Sequence, residues 1–114
     1  MEINEYQKKA HTFADYAMPC TNDADCGYCY PVMGLTEEAG EVAGKFGKAI
    51  RDYNGYISEE RKAEIVKELG DVTWFVAELC TFLDVTLEEV MQKNIDKLTS
   101  RKERNVIHGN GDNR

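Results

Sequence analysis

The chain has 114 residues, one domain's worth, and its 14 Lys and Arg against 21 Asp and Glu leave a net charge of −7. That balance argues against passive binding to a nucleic acid polymer or an anionic membrane, both of which want a basic surface. A hydrophobic content of 42% with 31% charged residues is globular rather than disordered, and no apolar run approaches the length of a membrane span.

Taken from the N-terminus, Met1-Glu2-Ile3-Asn4-Glu5 lacks the basic and apolar regions of a signal peptide, so a cytoplasmic location is expected. A first helix is predicted from about Ile3 to Met18, stopped by Pro19. Residues 19–30 read as a loop rich in Asn, Asp, Gly and Cys. Cys26-x-x-Cys29, with Cys20 as a third ligand, could hold part of a zinc site, but no fourth ligand is evident. The alternative is a set of reduced thiols.

Pro31 suits the first turn of a second helix, in which Val32, Leu35, Ala39, Val42, Phe46 and Ile50 recur at amphipathic spacing. That helix is expected to end near Asp52, before the turn-like Tyr53-Asn54-Gly55. Its Gly40, Gly44 and Gly47 form a bare stripe that would let another helix approach closely. Ser58 can N-cap a third helix with Glu59 and Glu60 in its first turn, and Ile65, Leu69, Val72, Val76, Leu79 and Leu83 form its apolar stripe. Thr86-Leu87-Glu88-Glu89 fits a capping box for a fourth helix, with Leu87, Val90, Met91, Ile95 and Leu98 as its buried face. After about Arg101 the sequence becomes a polar, Gly-rich tail, residues 102–114. The whole reads as one all-α domain over residues 1–114, a four-helix bundle without a sheet.

Absences narrow the chemistry. His11 and His108 are the only histidines and neither lies near a cysteine or a Ser-rich turn, which argues against a Ser-His or Cys-His hydrolase. Neither common Gly-rich phosphate loop is present. Catalysis would have to come from carboxylates, lysines and arginines, with a metal.

The second helix carries Glu37, Glu38 and Glu41, and the third carries Glu68 and Asp71. At about 100° per residue, Glu38 and Glu41 lie about 60° apart on one face, as do Glu68 and Asp71. Glu38 and Glu68 each stand three residues after one apolar stripe position and four before another, so each borders its seam. Carboxylates facing one another would repel strongly unless a hard cation such as Mg²⁺, Mn²⁺ or Ca²⁺ bound between them. The bland alternative is a solvated acidic face neutralised by Lys45, Lys48 and Lys67. On the fourth helix Asn94, Lys97 and Arg101 share one stripe, which could hold phosphate oxygens or be an ordinary solvated helix end.

Together these segments resemble the MazG-like all-α nucleotide pyrophosphohydrolases. Glu37-Glu38-x-x-Glu41, 26 intervening residues and Glu68-x-x-Asp71 match that family's E-E-x-x-E…E-x-x-D signature, and Asn94-x-x-Lys97-Leu98 with Arg101 is similar to its phosphate-contacting fourth helix. The resemblance covers about residues 30–101. It implies Mg²⁺-dependent hydrolysis (Mn²⁺ substituting) of a ribo- or deoxyribonucleoside triphosphate to the monophosphate and pyrophosphate. It also implies metal binding by Glu38, Glu41, Glu68 and Asp71, with Glu37 in a supporting role or orienting the attacking water.

Trp74 lies about 180° from the centre of the third helix's apolar stripe, on the side of Asp71. It could stack on a nucleobase or bury itself against another subunit. Tyr6, Phe13 and Tyr16 on the first helix are expected to pack in the core, with base contact as the alternative. A homodimer or dimer of dimers is expected. Two rival classes are a non-catalytic helical adapter, whose acidic face binds a protein partner, and a di-iron bundle. The second wants Glu-x-x-His pairs that the sequence lacks.

Overall fold

The structure is a computed structural model in which residues 1–16 and 28–114 are described. Four helices make up the described chain: α1 (Ile3–His11), α2 (Cys29–Tyr53), α3 (Glu59–Phe82) and α4 (Leu87–Glu103), and no strand is found among the described residues. The all-α expectation is met. Cys20 and Cys26 of the possible zinc half-site lie outside the described residues, while Cys29 opens α2 and Cys80 is buried in the core.

The helix ends follow their capping chemistry. The Ser58 hydroxyl accepts from the Arg61 N–H at 3.2 Å, and the Thr86 hydroxyl accepts from the Glu89 N–H at 3.0 Å. At the end of α2, Asn54 adopts φ 53° and the Gly55 N–H reaches back to the Ala49 carbonyl at 2.9 Å. Two boundaries differ from expectation. α2 starts two residues before Pro31, because Pro still fits the first turn, where N–H groups have no partner. α1 ends at His11 rather than near Met18. There Lys8, Lys9 and His11 favour a C-terminus, and the Thr12 hydroxyl donates to the Lys9 carbonyl at 2.6 Å.

The antiparallel pair α2–α3 is the main frame. Its seam is rotated from the predicted stripes by about one residue. On α2 the buried and half-buried positions are Pro31, Gly34, Leu35, Glu38, Val42, Lys45 and Ala49, while Phe46 and Ile50 face out. On α3 they are Ile65, Glu68, Val72, Phe75 and Leu79, while Leu69 and Leu83 are exposed. The close helix approach comes at Gly34, not at the predicted stripe. A Cβ at Gly34 would collide with the Phe75 ring, whereas Gly40, Gly44 and Gly47 have nothing within 4 Å of theirs, because they point away from α3.

α1 and α4 pack on the other side of α3. Ala10, Ala77, Cys80 and Leu87 form a small core, flanked by Tyr6, Trp74, Val76 and Val85. Gln7 clasps three elements: its amide nitrogen donates to the Thr81 hydroxyl at 3.2 Å and the Val85 carbonyl at 2.9 Å, and its oxygen accepts from the Leu87 N–H at 2.7 Å. One side chain thus satisfies an orphan donor of α4 and a carbonyl of the α3–α4 turn.

No Cα of α4 comes within 8 Å of α2. Of the predicted buried face of α4 only Leu87 is covered; Val90, Met91, Ile95 and Leu98 are 40–57% exposed. The tail, by contrast, is ordered by arginines. Arg114 donates to the carbonyls of Val106, Ile107 and Gly111, and Arg104 donates to that of Arg114.

The Gly34–Phe75 contact makes a direct prediction. Gly34→Ala must displace the Phe75 ring, so it is expected to destabilise the fold by about 1–3 kcal/mol. Urea unfolding at fixed protein concentration reads this; an unchanged midpoint would mean that the helices do not meet there.

Candidate metal and nucleotide site

The rotation of the seam places two carboxylates inside it. Glu38 of α2 and Glu68 of α3 are half-buried, and exposed Asp71 stands one turn beyond Glu68. One carboxylate oxygen from each lies within 4.8 Å of those of the other two. Octahedral Mg²⁺ at 2.0–2.1 Å needs ligand oxygens about 3 Å apart when adjacent and about 4 Å when opposite, so a small contraction converts this cluster into a coordination site. Glu37 and Glu41 are exposed and outside the close triad, though both add to the negative potential at Glu38.

The electrostatics are those of an unneutralised cluster. Desolvation and then the charges of Asp71, Glu68, Glu37 and Glu41 hold the Glu38 carboxyl above the ordinary glutamate range. Among the described residues, Lys45 is the cation bonded into the seam, with its Nζ 3.2 Å from Glu64 and 3.8 Å from Glu68. The bland reading named Lys45 as a neutralising partner, and this much of it holds. Lys45 bonds to Glu64 and Glu68, and no ion pair to Glu38 or Asp71 is found among the described residues. The donor set, all oxygen and carboxylate-rich, suits a hard divalent cation.

Beside the cluster is an open cleft of about 500 Å³ lined by Phe13, Tyr30, Glu38, Asp71, Trp74 and Phe75. One wall carries carboxylates and the rest carries rings. Trp74 does not turn outward as its helical angle suggested. It is half-buried, its indole N–H donates to the Ala10 carbonyl at 3.0 Å, and it meets Phe75 edge-on at 5.0 Å. The reason is that α3 is covered on two sides, by α2 and by α1, so one apolar stripe could not describe it. Tyr16 stacks on Tyr30 with centroids 4.9 Å apart and meets Trp74 edge-on at 6.4 Å. Tyr6 also approaches, and its phenol is pushed up by burial and by Asp71.

The α4 stripe divides. Asn94 and Lys97 are exposed, and the Lys97 Nζ lies 3.9 Å from Asp112. Arg101 is 6% exposed, with its guanidinium donating to the carbonyls of Asp112 at 2.8 Å and Gly111 at 3.4 Å. Instead of lying on a solvated helix end, it is a latch for the tail. Among the described residues none of these three groups is paired with Glu38, Glu68 or Asp71.

Sequence reasoning missed Glu78. It is 2% exposed on the α1-facing side of α3, where it contacts His11 and Tyr16. The available signal was a lone acid in the apolar run from Phe75 to Cys80, two helical turns beyond Asp71.

The raised Glu38 has a signed consequence. A carboxyl whose folded pKa is raised favours the fold when protonated, so the metal-free protein gains stability as pH falls through that titration and loses it as pH rises. Glu38→Gln is therefore expected to leave the metal-free melting temperature at neutral pH equal or higher, and to abolish the rise produced by Mg²⁺. Thermal-shift curves with and without Mg²⁺ check both; a metal-free variant that melts well below the wild type would contradict the repulsion.

Residues 32–106 match the family model of the MazG nucleotide pyrophosphohydrolase domain. The chain is 47% identical over 116 residues to the Gene 37 protein of Mycobacterium phage L5, covering all of both chains. It is also 38% identical over 74 residues to the uncharacterized protein YvdC of Bacillus subtilis (strain 168), covering 60% of this chain and 70% of that one. No solved structure matches. With Glu38, Glu68 and Asp71 of the carboxylate signature brought together in space and the family model spanning α2 to the start of the tail, the chain belongs to the MazG nucleotide pyrophosphohydrolase domain family.

Proposed function

We propose that the protein is a Mg²⁺-dependent pyrophosphohydrolase that converts a ribo- or deoxyribonucleoside triphosphate to the monophosphate and pyrophosphate, with Mn²⁺ able to substitute. The observation that carries this reading is the convergence of Glu38, Glu68 and Asp71 within 4.8 Å beside a ring-lined cleft. Glu38, Glu41, Glu68 and Asp71 would hold the cation, Glu41 by swinging in from one turn along α2. A cation held by these residues would neutralise charge on the phosphate oxygens and would acidify a bound water. Glu37, exposed next to Glu38, orients the attacking water. Trp74, with Phe13, Tyr30 and Phe75, receives the base or sugar face of the substrate, so that the triphosphate extends from the rings towards the carboxylates.

Asn94 and Lys97 are the phosphate contacts that stand exposed on α4. Arg101 joins them only if the tail releases its guanidinium, since in this structure it is bonded to Gly111 and Asp112. The protein acts as a homodimer or dimer of dimers. The uncovered apolar face of α4 and the exposed Phe46, Ile50, Val66 and Leu69 on the α2–α3 pair offer apolar surface that a second copy would cover. The radius of gyration of 17.4 Å, against about 13 Å for a compact chain of this length, supports the same reading. Assembly brings the substrate site near subunit contacts.

The test is incubation with a panel of triphosphates and Mg²⁺, with products resolved by chromatography. Monophosphate and pyrophosphate are expected; a diphosphate with orthophosphate, or activity that survives chelation, would contradict the reading. A protein that binds neither Mg²⁺ nor nucleotide would favour the helical adapter instead. Asp71→Asn is expected to weaken Mn²⁺ binding and lower turnover by orders of magnitude. Lys97→Ala is expected to cost about tenfold to a hundredfold in kcat/KM with metal affinity retained. Light scattering on the active sample is expected to give two or four times 13.0 kDa, and a 13.0 kDa particle would contradict assembly.

A further inference from the structure

Glu78 is a buried acid that the proposed reaction does not use. Its side chain is 1% exposed, and it sits on the α1-facing side of α3, two helical turns along from Asp71. It holds the last residue of α1 and a residue of the segment that follows it. The Tyr16 hydroxyl donates to its Oε2 at 3.2 Å, and His11 Nδ1 lies 3.1 Å from Oε2 and 3.3 Å from Oε1.

Those two anchors bracket Phe13, which lines the ring cleft from a stretch with no helix to support it. Tyr16 is itself wedged between two other lining rings, stacked on Tyr30 and edge-on to Trp74. The Trp74 indole is tied to the Ala10 carbonyl, one residue before His11. Release of Glu78 would therefore free Phe13 directly and unseat Tyr30 and Trp74 through Tyr16. The Tyr16 phenol, pushed up to about 12 by burial and by Glu78, remains a donor at any working pH.

From this geometry we infer that Glu78 is a positioning residue: without touching substrate or metal, it holds the residue 11–16 segment in place and so sets how tightly the ring cleft grips the nucleobase. This rests on the nucleotide reading above. Its signature is a loss confined to the base-bearing part of the ligand, because the triad that faces the phosphates is built from other side chains.

The experiment uses the single tryptophan, Trp74, as reporter. Its fluorescence is titrated in Mg²⁺ with each of the four deoxynucleoside monophosphates, and pyrophosphate binding is measured by calorimetry. For the best-bound monophosphate, Glu78→Ala is expected to raise Kd about tenfold, with pyrophosphate affinity unchanged. Glu78→Gln keeps an acceptor for Tyr16 and is expected to stay within about twofold of the wild type. Tyr16→Phe keeps the ring and loses the hydroxyl, so an increase of about threefold is expected, and it decides the matter if Glu78→Ala does not fold. Unchanged monophosphate binding in Glu78→Ala, or in Tyr16→Phe where that variant decides, would overturn the inference. So would equal losses for monophosphate and pyrophosphate. A wild type that hydrolyses a triphosphate but binds none of the monophosphates overturns the role of Glu78 alone; one that neither hydrolyses any triphosphate nor binds any monophosphate overturns the nucleotide reading itself, and the role of Glu78 with it.

Discussion

The structure depends on a repulsion that it does not relieve by itself. Packing α2 against α3 forces Glu38 and Glu68 into one seam, with Asp71 at its lip. A seam selected only for stability would fill those positions with apolar side chains, since burying charge costs more than it returns unless the charges are neutralised. Lys45 lies beside Glu68 on one side of the cluster, while burial first and then the neighbouring carboxylates hold the Glu38 carboxyl above its ordinary range. The fold is therefore strained electrostatically where the function is proposed to lie, and a divalent cation is the species that would turn that cost into binding free energy.

The rest of the molecule holds this seam and the cleft beside it. α1 is only nine residues long, yet three of its polar side chains bridge to the far end of the chain. Gln7 satisfies the α3–α4 turn and the α4 N-terminus, Asn4 donates to Glu88 at 2.7 Å, and His11 reaches buried Glu78. A short helix with a small core beneath it needs such bonds, because its apolar contact with Ala77, Cys80 and Leu87 is slight. The segment that follows this helix supplies Phe13 to the cleft wall and Tyr16 to the rings packed behind it.

Much of this was legible in the sequence. The N-caps at Ser58 and Thr86, the turn at Asn54-Gly55 and the i, i+3 carboxylate pairs are local signals, and local chemistry decided them. What failed was every inference that needed to know how many neighbours a helix has. α3 is covered on two sides, so a single stripe through Leu69 and Leu83 put the seam one residue off and sent Trp74 outward. α4 has few neighbours within the protomer, so an amphipathic face that reads as core is left open. Glycine spacing at 40, 44 and 47 pointed to tight packing, but Gly34 is the position opposite a large ring. Arg101 read as a phosphate contact or part of a solvated helix end, because nothing in a polar, Gly-rich stretch announces that its carbonyls will fold back onto a guanidinium.

The central claim is that α2 and α3 together make a divalent-cation site from Glu38, Glu68 and Asp71. Anomalous diffraction from crystals grown with Mn²⁺ tests it most directly. The account predicts a manganese peak within coordination distance, about 2.1–2.3 Å, of carboxylate oxygens from all three residues. A crystal at saturating Mn²⁺ with no peak between the two helices, or with manganese bound only elsewhere, would contradict it.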